Sequence, residues 1–189
     1  MTYASTPCAQ TPVGKAAYFA AASCGASVDV DPYTMGIVDM FEFVIGNADW
    51  SVSGLHNITV FEGKNLTFYP VPYDFDCTGI VNPRYASRCA GMICTDEMIR
   101  QNIPCRRHVT ERLYRGFCGT GSDDDQLTRL QPFIDIFQDK KNEIYTLYAE
   151  NEYLEDDRIE DAIEYLDDFY ELVEDEGDMR REFVRKCRQ

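Results

Sequence analysis

Residues 45–79 read IGNADWSVSGLHNITVFEGKNLTFYPVPYDFDCTG and carry the strongest structural signal in the chain. Within this stretch, segments 58–61 and 66–71 are rich in β-branched and aromatic residues, and a Glu-Gly-Lys-Asn tetrapeptide separates them. This pattern predicts a β-hairpin with a tight turn. Because the two strands of a hairpin run antiparallel, Asn57 at the start of the first strand and Asp74 just past the end of the second should lie side by side.

The hairpin would bring four oxygen-bearing side chains of this stretch towards one point. They are Asp49, Asn57, Asp74 and Asp76. Phosphoryl transfer requires such a set, because a divalent cation that bridges phosphates binds carboxylate and amide oxygens, while the acceptor hydroxyl requires a nearby carboxylate base. Aspartate and asparagine are also common in turns, where their side chains bind the local backbone. A purely structural role for any single residue is therefore the alternative.

The order of these residues resembles the catalytic core of the atypical kinases of the spore-coat protein H (CotH-like) type. The shared pattern is Asn-x-Asp, seven residues, Asn, a hairpin and then Pro-Tyr-Asp-Phe-Asp, and it covers about a fifth of the chain. The resemblance implies that Asp49 is the catalytic base and that Asn57 and Asp74 are metal ligands. Asp76 is implied as a further ligand. The implied cofactors are Mg2+ or Mn2+ and ATP, and the implied acceptor is a protein serine, threonine or tyrosine, or a small hydroxylated molecule.

The chain as a whole predicts a mainly α-helical fold with one small β-hairpin, which is an α+β class. The resemblance implies the C-terminal lobe of a kinase-like fold without its N-terminal lobe. Such kinases need a glycine-rich loop over the phosphates and a lysine that reaches them. This sequence has no Gly-x-Gly-x-x-Gly, and Lys15 is the only lysine before residue 64. We therefore expect any nucleotide clamp to be supplied by an N-terminal lobe or an assembly partner outside this sequence.

The predicted organisation is an irregular N-terminal arm over residues 1–30 followed by the kinase-like lobe over 31–189. Asp31-Pro32 marks a helix start, because aspartate caps helices and proline suits the first turn. The apolar residues that follow predict a buried helix that leads into the loop of Asp49. The lobe divides into this buried helix (31–46), a catalytic loop with hairpin and metal loop (47–76), an activation-like segment (77–105) and a helical part (106–189) that starts with a helix over 106–117.

The composition is that of a globular protein with a strongly acidic charge balance. Asp and Glu number 33 against 18 Lys and Arg, which gives a net charge of −15 at pH 7. Residues 123–189 hold 22 of the 33 acids and only nine basic residues. This charge disfavours nucleic acid and anionic membranes as partners. No apolar run approaches the roughly 18 residues that a membrane-spanning helix needs, so we expect no membrane span.

Eight cysteines and two glycosylation sequons indicate an extracytoplasmic or secreted protein with disulfides. The sequons begin at Asn57 and Asn65, so a glycan on Asn57 would compete directly with its role as a metal ligand. We expect at least three disulfides, one of them within residues 77–118. A zinc site is the alternative for part of this segment, built from Cys89, Cys94, Cys105 and His108, although their spacing is not that of a standard zinc finger.

Two functions of different classes follow from these observations. The first is an atypical kinase-like phosphotransferase that moves a phosphoryl group from ATP to a hydroxyl. The second is a secreted, disulfide-stabilised structural or assembly protein that retains a kinase C-lobe as a scaffold without catalysis, because a fold does not determine its function. The missing glycine-rich loop and lysine are the features that separate the two hypotheses.

Overall fold

The computed structural model describes residues 29–52, 55–64, 67–83, 93–94, 100–101, 107–116 and 121–186. The described residues form five α-helices, a π-helical turn and five short strands. The helices are α1 (Pro32–Val44), α2 (Asp123–Asp139), α3 (Lys141–Ala149), α4 (Asp156–Glu174) and α5 (Glu176–Met179), with the π-helical turn at Arg180–Arg185. The strands are β1 (Asp29–Val30), β2 (Ile58–Glu62), β3 (Thr67–Pro72), β4 (Ile93–Cys94) and β5 (Arg107–His108). The fold is thus mainly helical with an antiparallel hairpin, as the predicted α+β class requires.

The chain divides into two compact units, each with its own hydrophobic core. The first unit comprises Met1–Val38 and Trp50–Asp74, and the second comprises Asp39–Asp49 and Phe75–Gln189. Helix α1 contributes its residues 32–38 to the first unit and the remainder to the second. Most of the predicted N-terminal arm, residues 1–28, lies outside the described residues.

The first unit is built on a three-stranded sheet in the order β1-β3-β2. Strands β2 and β3 are the predicted hairpin, with Ile58 opposite Pro72 and Glu62 opposite Phe68. Alternate residues of a strand face opposite sides of the sheet, so one face of the hairpin packs into the core. The buried members of this core are Val38, Trp50, Leu55, Ile58, Val60 and Phe68.

Strand β1 was not predicted, because it falls at the end of the stretch expected to be an irregular arm. Asp29 and Val30 pair in parallel with Thr67 and Phe68 of β3. The next residue extends this contact, since the Asp31 N–H donates to the Phe68 carbonyl at 2.9 Å. The end of the arm is therefore a strand whose partner lies more than 30 residues further along the chain.

The second unit has a helical core in which aromatic rings contact one another. The ring of Phe43, from α1, lies 4.8 Å from that of Phe183 and 6.3 Å from that of Phe169. Helix α4 places buried residues at spacings of three and four, so it turns one apolar stripe towards this core. The buried cluster consists of Met40, Phe43, Val44, Tyr114, Leu130, Ile134, Phe137, Leu166, Phe169, Tyr170, Val173 and Phe183.

The predicted helix over residues 106–117 is wrong. Residues 107–108 form strand β5, which pairs in parallel with β4, and residues 109–116 continue without helix. Side chains two residues apart point to different sides of a helix, yet Arg112 and Tyr114 are both held by the second unit. Arg112 donates to the carbonyls of Val44 and Tyr165, and the Tyr114 ring packs 5.2 Å from that of Phe183. These tertiary contacts outweigh a weak helical preference.

Helix α2 starts with a capping box, and its removal is expected to lower the free energy of unfolding by about 1 kcal/mol. The Ser122 side chain accepts from the Asp125 N–H at 3.2 Å, and the Ser122 N–H donates to the Asp125 carboxylate at 3.0 Å. Urea denaturation of Ser122→Ala should show this loss. Thr128→Ala, at an exposed position of the same helix, should be neutral or slightly stabilising. Equal effects of the two changes would argue against the cap.

Candidate functional site

The hairpin brings two of the four predicted site residues together within the first unit. Asn57 directly precedes β2, and the Tyr73 N–H donates to its carbonyl at 3.0 Å. Asp74 follows Tyr73, so it comes directly after the residue that faces Asn57 across the hairpin. The expectation that the start of one strand lies beside the end of the other is therefore met by the backbone.

Both residues of this pair have a left-handed backbone conformation. The φ angle is 52° at Asn57 and 62° at Asp74, and only two other described non-glycine residues, Leu55 and Asn82, have a positive φ. Asparagine and aspartate tolerate this conformation better than most residues. It still costs about 1–3 kcal/mol per residue, and such strain concentrates at functional sites. The strained conformation occurs at the two positions that the family pattern assigns to the metal.

The burial of Asn57 bears on whether it carries a glycan or acts inside the fold. The residue is only 9% exposed. An N-linked glycan is bulky and solvated, so it needs an exposed asparagine. The amide of Asn57 therefore fits a role within the protein better than glycosylation. Asn65, which begins the second sequon, lies outside the described residues.

The other two predicted site residues, Asp49 and Asp76, belong to the second unit. Residues 45–47 and 78–80 run antiparallel, with a bridge between Asn47 and Thr78 and a 3.1 Å bond from the Gly79 N–H to the Gly46 carbonyl. The next pair in this register, Ala48 and Cys77, packs together in a small apolar cluster with Val109. Asp49 follows Ala48 and Asp76 precedes Cys77, so each carboxylate comes one residue beyond this cluster. The second unit therefore carries both carboxylates on the two segments that meet there.

Local hydrogen bonds shape the turns that carry these carboxylates. The Asp49 N–H donates to Oδ1 of Asn47 at 2.8 Å, which is an asparagine turn. The Thr78 hydroxyl donates to the Phe75 carbonyl at 2.8 Å and closes the turn that contains Asp76. Asn47 is 1% exposed, so the first residue of the Asn-x-Asp pattern acts by shaping the loop. The sequence alone indicates no role for this residue.

Glu42 is a buried carboxyl group that the sequence analysis also missed. It is 1% exposed, and neither carboxylate oxygen has a hydrogen-bond partner within the described residues. Burial is the main cause of the rise in the pKa of Glu42 to about 7; the nearby Asn47 amide opposes this rise without reaching hydrogen-bonding geometry, and the negative charge of Asp39 contributes to it. The sequence signal for this buried acid is its position inside the apolar run Met-Phe-Glu-Phe-Val.

Glu42→Gln is expected to stabilise the protein at pH 8 by about 2–3 kcal/mol and to change little near pH 5. The pKa of Glu42 is higher in the folded state than its ordinary value of 4.5, so stability is lost as the pH rises from 4.5 to about 7. Glutamine removes that loss because it carries no charge. Urea denaturation at both pH values measures the difference, with exposed Glu171→Gln as the control. A gain that did not grow with pH would contradict the titration of a buried carboxyl.

Two further observations concern metals and cysteines. Within the described residues, no group of three or more His, Cys, Asp and Glu side chains could hold a metal ion. The predicted metal set instead includes the Asn57 amide, while Cys89 and Cys105 of the zinc alternative lie outside the described residues. Cys77 is disulfide-bonded. The prediction of three or more disulfides stays a prediction.

None of the described helices is both long and apolar enough to cross a membrane. Comparisons with protein-family models, with curated proteins and with solved structures found no match for this chain.

Proposed function

We propose that this protein is a metal-dependent phosphotransferase of the atypical kinase type. It would move a phosphoryl group from ATP to the hydroxyl of a protein serine, threonine or tyrosine, or of a small acceptor. The observation that carries the proposal is the strained conformation of Asn57 and Asp74 on adjacent ends of one hairpin. An amide and a carboxylate held in this way supply the oxygen ligands that Mg2+ and Mn2+ prefer.

The proposal gives each predicted residue one role. In the first unit, Asn57 and Asp74 would hold the divalent cation. In the second unit, Asp76 is a further candidate cation ligand, and Asp49 would accept the proton of the acceptor hydroxyl. The cation would neutralise charge on the transferred phosphoryl group. The donor set fits such an ion, because all of these side chains offer oxygen and none offers the sulfur or imidazole nitrogen that zinc favours.

A structural or assembly protein of the secreted type is the second candidate. The disulfide at Cys77 favours an oxidising compartment, which suits this function and an extracytoplasmic kinase equally well. The lack of a glycine-rich loop favours it over catalysis by these residues alone. This candidate requires neither a metal nor ATP, so metal binding separates the two.

Mn2+ titration followed by electron paramagnetic resonance tests the proposed metal site. We expect one weak site for Mn2+ and poor binding of ATP, because the ligands for the metal are present while the phosphate clamp is not. Asp74→Asn keeps a residue that tolerates the left-handed conformation but removes the charge, and it should lower the affinity for Mn2+ about tenfold or more.

The control for this experiment is Asp139→Asn, which makes the same chemical change at an exposed position of α2. It should leave the Mn2+ affinity within about twofold, because a single exposed charge contributes little to binding elsewhere. If both variants weaken Mn2+ binding equally, the ion binds diffusely to an acidic protein and the proposed site is wrong.

A further inference from the structure

Two arginines hold the backbone that leads into the loop of Asp49. Helix α1 ends at Val44, and the Arg112 Nε donates to the Val44 carbonyl at 3.3 Å. Arg115 Nη1 donates to the carbonyl of Ala48, which is bonded directly to the backbone nitrogen of Asp49. A cation near the last carbonyls of a helix also suits the negative end of its dipole. Two arginines of the non-helical segment 109–116 therefore hydrogen-bond to the first and the last residue of segment 44–48.

The two arginines differ in how many interactions their guanidinium groups make. Arg112 also donates to the Tyr165 carbonyl, and its guanidinium lies 3.8 Å from the centre of the Tyr165 ring. Arg115 is exposed, and its bond to Ala48 is the only hydrogen bond or ion pair that its guanidinium makes with the described part of the chain. A guanidinium carries five N–H donors, so most of those of Arg115 make no hydrogen bond within the described residues.

Three other arginines of the described residues use their charge on carboxylates of the same chain. Arg158, Arg180 and Arg181 each pair with two carboxylates. Arg115 makes no ion pair with a carboxylate of the described residues, although acids outnumber bases 33 to 18. An exposed arginine that is oriented by a backbone carbonyl keeps its charge for an external anion. Its planar fork matches the geometry of a phosphate group.

We propose that Arg115 binds a phosphate group beside Asp49. This inference rests on the proposed phosphotransferase function and extends it to a residue outside the family pattern. The phosphate belongs either to the polyphosphate chain of the donor or to a phosphorylated acceptor. In both cases the bound guanidinium neutralises phosphate charge next to the carboxylate that serves as base.

Isothermal titration calorimetry with two probes tests this site and identifies its ligand. Tripolyphosphate represents the donor, and phosphoserine represents a phosphorylated acceptor. Arg115→Gln removes the charge and the planar fork while keeping a polar side chain, and it should lower the affinity for at least one probe about tenfold or more. Arg115→Lys should lose less, because lysine keeps the charge without the fork. The probe that is lost identifies which phosphate binds.

Arg185→Gln provides the matched control, since Arg185 is exposed on the π-helical turn and makes no ion pair within the described residues. It should leave both affinities within about twofold. Equal losses from the Arg115 and Arg185 changes, or no binding of either probe by the parent protein, would overturn the proposal. A loss confined to Arg115→Gln together with an unchanged Mn2+ affinity in Asp74→Asn would keep the phosphate site and reject the phosphotransferase function.

Discussion

Gly46→Ala is expected to lower the free energy of unfolding by about 3–4 kcal/mol, a large part of the roughly 5–15 kcal/mol that stabilises a typical domain. Gly46 has a φ of +68°, and alanine pays about 1–2 kcal/mol in that left-handed conformation. A Cβ atom there would lie 2.0 Å from the Tyr165 hydroxyl oxygen and 3.2 Å from the Gly79 nitrogen. Relieving that overlap moves a buried ring, which costs about a further 1–3 kcal/mol.

Urea denaturation of the parent protein, Gly46→Ala, Tyr165→Phe and the double variant separates the backbone part of this loss from the steric part. Tyr165→Phe removes the hydroxyl that the new methyl group would meet, so the double variant with Gly46→Ala should recover the steric part and keep the backbone part. Gly177→Ala, in the short helix α5, makes the same change where φ is ordinary and the nearest atom to the new Cβ is the Asp175 Oδ1 at 3.0 Å, at the end of an exposed side chain, so it should cost much less than Gly46→Ala. A Gly46→Ala protein as stable as Gly177→Ala would show that this turn is not closely packed.

The same contact links Tyr165 to both carboxylate-bearing segments of the second unit. Gly79 lies opposite Gly46, and a Cβ at Gly79 would meet the Tyr165 hydroxyl oxygen at 2.3 Å. The two glycines therefore leave room for one tyrosine hydroxyl between the segments that continue to Asp49 and Asp76. Substitutions at these glycines should disturb that pair of carboxylates as well as the stability of the fold.

Local sequence signals were sufficient for the elements that are stabilised by their own residues. The buried helix predicted over 31–46 occurs as Pro32–Val44, with the Thr34 N–H and hydroxyl each donating to the Asp31 carboxylate at 2.7 Å. The hairpin likewise follows from two short β-rich segments with a turn between them. In both cases the residues that make the decisive hydrogen bonds are close together in the sequence.

Elements that depend on distant partners could not be predicted in this way. Strand β1 has only two residues and exists because β3 offers it a parallel edge. Residues 109–116 have the apolar spacing of a helix, yet their arginine and tyrosine side chains bind elsewhere in the second unit. Nothing in either short segment indicates these partners.

The candidate site likewise combines features that depend on local sequence with features that depend on distant partners. The adjacency of Asn57 and Asp74 is a property of the hairpin, so it could be inferred from the sequence. Their strained backbone could not be inferred, because φ depends on how the strand ends are held. Glu42 was missed for a related reason, because its burial is a tertiary property. The exposed, carbonyl-bound position of Arg115 is likewise a tertiary property that the sequence does not show.

Asp49→Ala is expected to slow phosphate transfer by about 1,000-fold or more, while the free energy of unfolding changes by less than about 1 kcal/mol. A base that accepts the proton of the acceptor hydroxyl acts in the transition state, so its loss should lower the rate more than the affinity for substrate. The stability should change little, because the hydrogen bond to Asn47 comes from the Asp49 backbone N–H, which alanine keeps.

The rate is measured in the full-length protein with ATP and Mn2+, together with any assembly partner that supplies a clamp for the nucleotide. Asp139→Ala removes an exposed acid from α2 and should leave the rate within about twofold. Asp49→Asn should be nearly as slow as the alanine variant, since an amide keeps the size of the side chain but cannot accept the proton.

An unchanged rate in both Asp49 variants would remove Asp49 from the mechanism, and with it the assignment of the second-unit carboxylate pair to catalysis. A slow rate in Asp49→Ala with full activity in Asp49→Asn would instead show that this position orients the acceptor by hydrogen bonding without taking up its proton.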